Sequence, residues 1–294
     1  MNTMNSRSLR YARWGKKLRN TPLWEMRRSP LAMAGAIIVI VLAILALIGP
    51  ILVPTREQSF SLSDRLKAPS ADHLLGTDDM GRDILSRVIL GAGISMRVGI
   101  TVVVASVLIG VIVGAISGYY GGWLDEVLMR IVDIFLAVPS LVLAMAIAGA
   151  LEPSIENAML AISLVWWPWY ARIVRAQTLS IKREEFVAAA QSLGVPVPVI
   201  IWRHIIPNCV APVIVQASLD FGYTVLTAAS LGFLGLGAQP PKPEWGLMIS
   251  QGRSYFPTSW WVATVPGLAI FLTVMGFNLL GDGLRDVLDP KLKE

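Results

Sequence analysis

Six stretches of this chain are too apolar, over too great a length, to be packed inside a water-soluble domain. A helix that crosses a bilayer needs about 20 mainly apolar residues, because the hydrocarbon core is ~30 Å thick and each residue rises ~1.5 Å. Residues 31–53, 98–118, 127–151, 157–174, 209–236 and 260–284 meet or approach that length. The fourth is the weakest: only 157–171 is free of charge, and Arg172 and Arg175 are expected to snorkel to the interface. Composition agrees, with 54% hydrophobic and only 15% charged residues, against about 25% charged in an ordinary soluble domain. The expected fold class is an all-α polytopic membrane protein of six transmembrane helices.

Charge sets the orientation. Residues 1–29 hold eight Lys/Arg against one acid, Glu25. The 23 uncharged residues of 31–53 exceed the roughly 7–15 of a signal-peptide core, so an uncleaved anchor is expected. With both termini cytoplasmic, the inner segments collect 17 Lys/Arg and the outer segments 8, as the positive-inside rule requires. The chain divides into a basic cytoplasmic tail (1–29), a first span with its outer loop (30–96), a core of five spans (97–286) and a cytoplasmic C-terminal tail (287–294).

Catalytic chemistry finds no foothold. The chain has one cysteine, Cys209, and two distant histidines, His73 and His204, which argues against a disulfide framework or a cysteine or histidine metal site. No Walker A, H-E-x-x-H, G-x-S-x-G or complete G-x-G-x-x-G sequence is present. No cofactor is expected on this chain, no nucleic-acid partner, and any ATP that drives it must bind elsewhere.

Several constellations carry expectations. Gly110, Gly114 and Gly118 form a small-residue strip for close helix packing. Thr77 or Asp78 is placed to N-cap a helix through Ile84, Leu85, Val88 and Ile89. Asp133 is expected to pair with nearby Arg130 at the membrane edge. Asp220 lies inside a span, where a carboxylate faces either a translocation path or a hydrogen-bonding neighbour helix. The aromatic run from Trp166 to Tyr170 reads as an interface belt kinked by Pro168. In 180–208, Glu184 and Glu185 suit a helix N-terminus, Gly194 a left-handed C-terminal position, and Pro196 and Pro198 a stop. A second short helix over 199–206 is expected to end at Pro207. Two short cytoplasmic helices suggest a docking element, or else a hairpin lying on lipid.

Residues 185–208 read EFVAAAQSLGVPVPVIIWRHIIPN, which resembles the E-A-A-x-x-x-G-(x)-I-x-L-P loop of ABC importer permeases. Ala189 and Ala190 match its paired alanines, Gly194 its glycine, and Ile205 and Pro207 its closing hydrophobic–proline pattern. The motif glutamate position is Ala188, with Glu184 and Glu185 one helical turn earlier. The stretches His73-Leu74-Leu75-Gly76-Thr77-Asp78, Gly81 to Arg87, Leu231 to Gly246 and Phe277 to Pro290 are similar to the "C" subunit of the dipeptide/oligopeptide/nickel group.

That resemblance implies a type I importer fold in a bacterial or archaeal cytoplasmic membrane. It implies a homologous permease as heterodimer partner, two ATP-binding subunits, an extracytoplasmic substrate-binding protein and surrounding lipid. It makes 180–208 the coupling loop, with Glu184, Glu185, Ala188, Ala189, Ala190, Gly194, Ile205 and Pro207 in contact with an ATPase. Short peptides are the implied cargo, with nickel complexes, glutathione and haem-like ligands as alternatives within the same architecture. A secondary transporter is the rival class.

Overall fold

The computed structural model describes residues 29–53 and 61–288. The basic tail over 1–28, Arg56, and Lys291 and Lys293 lie outside the described residues. Helix α1 (Pro30–Leu52) starts where Ser29 Oγ accepts the Ala32 N–H, with Pro30 in the first turn. Its outward residues, including Ile37, Ile40, Ile44 and Leu47, are exposed and apolar, as a surface suited to lipid is. The opposite face packs on α10 (Trp261–Leu288) with almost no clearance: a Cβ at Gly35 would fall 2.6 Å from the Leu280 backbone nitrogen.

Helix α2 (Ile84–Tyr120) has 37 residues, about 55 Å, and therefore reaches well beyond a ~30 Å core. The expected outer helix and second span are this one element. Its cap is Asp83, whose Oδ2 accepts the Ser86 N–H at 2.8 Å, rather than Thr77 or Asp78. Those two residues instead hold the segment before α2: the Asp78 carboxylate takes the Arg82 Nε–H at 2.7 Å, and the Thr77 carbonyl accepts Trp261 Nε1–H at 3.3 Å.

The third expected span, 127–151, is bent. It comprises α3 (Gly122–Leu136) and α4 (Ser140–Gly149), inclined by 86° across a short break at Ala137, Val138 and Pro139. Pro139 has no N–H to continue the ladder and disfavours a helical Val138. Helix α5 (Ile155–Ile181) lies along α2 through the expected glycine strip. A Cβ at Gly110, Gly114 or Gly118 would come within 2.4 to 2.8 Å of Tyr170 Cβ, the Ala171 carbonyl and Thr178 Cβ. The aromatic run is only partly exposed, with Trp169 at 47%. It occupies the middle of α5, where Trp167, Pro168 and Tyr170 are buried against neighbouring helices.

Beyond the short α6 (Glu185–Ser192), α7 (Val197–Ile200) continues through a π-turn, Ile201–Ile205, into α8 (Ile206–Phe233). Pro207 therefore sits in the first turn of α8 and does not end a helix. The widened π-turn accommodates a residue that cannot donate to the preceding turn. Helix α9 (Trp245–Gly252) packs outside α8 and α10, and Phe221 of α8 stacks on Phe277 of α10 at 3.9 Å.

Among the described residues α1, α2, the continuous 197–233 helix and α10 are long and apolar enough to cross a membrane. The bent α3/α4 pair, counted as one span, makes five. Helix α5, at 27 residues, has the length but carries Glu156, Arg172 and Arg175.

Candidate coupling element and membrane carboxylates

Helix α6 starts at Glu184, whose backbone is extended, whose carbonyl accepts the Val187 and Ala188 N–H groups at 3.0 and 3.2 Å, and whose side chain makes no capping bond. It ends in a Schellman closure. The Gly194 N–H donates to the Gln191 carbonyl at 3.0 Å and the Val195 N–H to the Ala190 carbonyl at 3.1 Å, with Gly194 at φ +73°. The expected left-handed glycine is thus in place, with nothing within 4 Å of where a Cβ would stand.

One face of α6 is anchored. Val187 and Ala190 are buried in a cluster with Ala115, Tyr119, Val174, Ile200, Ile205 and Cys209. Gln191 Nε2 donates to the Tyr119 hydroxyl at 3.0 Å, and Lys182 Nζ to the Tyr119 carbonyl at 2.6 Å. The other face is open: Glu184, Glu185, Ala188 and Ala189 are exposed, together with Phe186, Leu193 (83%) and Trp202 (66%). The structure therefore gathers most of the expected residues on one exposed surface, while Ala190 and Ile205 face inward and Pro207 is exposed at the start of α8. Phe186, Leu193 and Trp202 escaped sequence reading, because hydrophobicity alone does not tell an exposed leucine from a core one.

The membrane carboxylates separate into two kinds. Asp220 is 6% exposed; its Oδ1 accepts from Gln216 Nε2 at 2.9 Å, while its Oδ2 has no hydrogen-bond partner. Tyr170 and Trp166 of α5 face the same carboxyl. Asp125 and Asp133 of α3 instead meet arginines of α5. Asp125 receives a bidentate pair from Arg175, both bonds 2.6 Å, and a bond from the Ser117 hydroxyl. Asp133 takes Arg172 Nη2–H at 2.6 Å, so its partner is not Arg130: a guanidinium across the α3–α5 contact reaches it. No sequence signal links residues 39 and 50 positions apart.

Comparison with known proteins is consistent over nearly the whole chain. Residues 110–294 match the family model described as "Binding-protein-dependent transport system inner membrane component". Residues 22–69 match the "N-terminal TM domain of oligopeptide transport permease C". The dipeptide transport system permease protein DppC of Escherichia coli K12 is 49% identical over 285 residues, covering 93% of this chain and 95% of the relative. DppC of Alkalihalophilus pseudofirmus is 46% identical, covering 92% and 88%. The glutathione transport system permease protein GsiD of Shigella flexneri is 45% identical, covering 92% and 89%. In fold, the chain is similar to a structure of the MetNI methionine ABC transporter in inward-facing conformations, with TM-score 0.56 and 17% identity over 69% of this chain and 97% of that one. Over more than half of its length, then, this multi-pass inner-membrane chain has the sequence of the binding-protein-dependent transport system inner membrane components, and it belongs to that family.

Proposed function

We propose that the chain is the "C"-type permease of an ATP-driven importer of short peptides, forming half of the translocation path beside a homologous permease. The observation that carries the reading is the exposed face of α6, anchored on one side and unpartnered on the other in a chain of this family. Two ATP-binding subunits dock there, and a substrate-binding protein delivers cargo at the opposite side. Closure of the ATPases around nucleotide displaces α6, and the Tyr119, Lys182 and Gln191 contacts pass that displacement to α2 and α5. Packed elements transmit such shifts because they exchange between discrete arrangements. Glu184 and Glu185 supply the acidic end of the docking face in place of the motif glutamate at Ala188.

The six expected spans follow if α3/α4 and α5 each cross once, which returns both termini to the cytoplasm. Asp220 acts at the wall of the translocation path, its carboxyl facing Tyr170 and Trp166 of α5. Dipeptides are the favoured cargo from the names of the relatives. Glutathione, named for another relative, is itself a short peptide and stays within that class.

The test is purification of the tagged chain from its own membranes. ATP-binding subunits and a second permease are expected to co-purify, and the reconstituted assembly should take up a dipeptide only with ATP and binding protein. ATP hydrolysis by the isolated chain would sink the proposal.

A further inference from the structure

The outward face of α3 is charged where a lipid-facing helix cannot be. Trp123, Glu126, Arg130, Asp133, Ile134 and Ala137 are all exposed and recur at helical spacing. Across from them Arg172 of α5 is 48% exposed and Asp133 50%. Arg172 stands nine residues before the end of α5, about 14 Å along the axis and inside a ~30 Å core centred on that helix. The stripe ends at the α3–α4 break, where Ala137, Val138 and Pro139 are exposed and α4 begins without a side-chain cap. Phe135 lies edge-on to Trp167, near the middle of α5; with α5 crossing once, as proposed above, the break lies close to mid-membrane.

Irregular backbone at that depth is tolerated only inside protein or beside water, and charges there likewise face an interior or an aqueous cavity. Protein or water, rather than lipid, therefore covers this face. We infer that the α3 stripe and the α3–α4 break line the water-filled path, and that the Asp133–Arg172 pair is the contact through which the charged ends of a zwitterionic peptide pass. The pair suits that task because it is held by a single bond. One carboxylate oxygen is left for an ammonium group and the remaining guanidinium N–H groups for a carboxylate. The neighbouring Asp125–Arg175 pair, bidentate and less exposed, anchors α3 so that the outer pair can exchange partners. This inference rests on the importer reading.

The test uses the complete transporter in liposomes. Val138→Cys (38% exposed) and Ile40→Cys on α1 (56% exposed) are treated with a charged, membrane-impermeant maleimide, and the unaltered chain with its buried Cys209 gives the background. Labelling of Val138→Cys but not Ile40→Cys is expected. An unlabelled Val138→Cys, both nucleotide-free and with ATP bound, overturns the path assignment. Asp133→Asn and Arg172→Gln should each lower maximal alanyl-alanine uptake roughly fivefold, the scale of one half-exposed charge contact, with membrane abundance retained. The charge swap, Asp133→Arg with Arg172→Asp, then decides the role of the pair. Retained abundance with uptake still depressed supports a cargo contact; uptake restored to the original level makes the pair structural and overturns it. ATP-dependent uptake by the unaltered transporter is measured in the same liposomes. Its loss removes the importer reading and this inference together, whereas its presence confines any failure to the α3 face.

Discussion

The two ends of the molecule are finished in opposite ways. At the end proposed to face outward, polar groups are buried within the chain: Asp78, Arg82 and Glu244 are each 5% exposed or less, and Arg87 beside them keeps Nε and Nη2 without a hydrogen bond. At the α6 end, apolar groups are left in the open, with Leu193 and Trp202 among the most exposed large side chains. A buried charge network is costly to disturb because each removed partner strands another charge. An exposed apolar patch contributes little to the fold and marks a surface that something else covers. The outer end is thus distinguished by its buried charge network, with Leu62 (77%) and Leu74 (65%) exposed beside it, so substitutions in that network should move stability and substitutions on the proposed docking face of α6 association.

The largest effect is expected at Asp78. Its carboxylate accepts from the Met80 and Arg82 N–H groups and from Arg82 Nε–H, and Arg87 Nε stands 3.5 Å away. Asp78→Ala leaves two buried guanidinium groups without their anion, a loss of about 3–5 kcal/mol. Membrane abundance should fall severely, as read by immunoblot. Normal abundance and thermal stability would break the contrast between the two ends.

Glu244 sharpens the same comparison through pH. Burial raises its carboxyl from 4.5 to about 7, against the opposing bonds from the Gly246 and Leu247 N–H groups. A raised carboxyl binds its proton more tightly folded than unfolded. Its contribution is therefore complete below pH 4.5 and lost as pH rises through 7. The shift corresponds to at most about 3 kcal/mol. The complex should melt at lower temperature at pH 8 than at pH 5.5, and Glu244→Gln should flatten that difference. An unchanged slope in the variant places the titration elsewhere.

These two sites also show what the sequence makes legible. Apolar runs predict α1, α8 and α10 to within a few residues at each end, and α2 at its C-terminal end only, because lipid imposes length and composition together. The Gly110–Gly114–Gly118 strip predicts a close helix contact, and it is found on α5. The α3–α4 bend, the Arg172–Asp133 pairing and the continuity of α7 into α8 are not legible. Each depends on where a distant segment lies or on a π-turn that leaves no local pattern. Of the exposed α6 face, Gly194 and Ala189 are readable from local chemistry, whereas the exposure of Leu193 and Trp202 follows only from the packing of Val187 and Ala190.

At the α6 end, Gly194→Val should cost about 1–2 kcal/mol, because φ +73° is unfavourable for a side-chain-bearing residue while the space around it is open. The fold survives that, but the Schellman closure loosens and the docking face loses its register. Normal abundance with uncoupled ATP hydrolysis, or with reduced ATPase co-purification, is the expected pair of readings. Full uptake would return 180–208 to a hairpin on the lipid surface.

The smallest stability change is expected at Leu193→Ser, and it discriminates best. Leu193 is 83% exposed, so the substitution forfeits almost no burial within the chain and should shift stability by no more than about 0.5 kcal/mol. Its position just after α6 requires no special backbone, since φ is −81°, so serine fits without strain. All of the expected loss therefore lies in association. An apolar side chain at the centre of an interface contributes binding energy only when a partner removes it from water. Leu193→Ser should weaken ATPase retention in detergent while leaving the melting curve of the permease pair unchanged; Ala189→Glu, on the same exposed face, should do so more strongly. A melting curve that falls with retention unchanged would mean that Leu193 packs within the permease assembly itself. The α6 end would then be finished from within, as the outer end is, and the contrast between them would disappear.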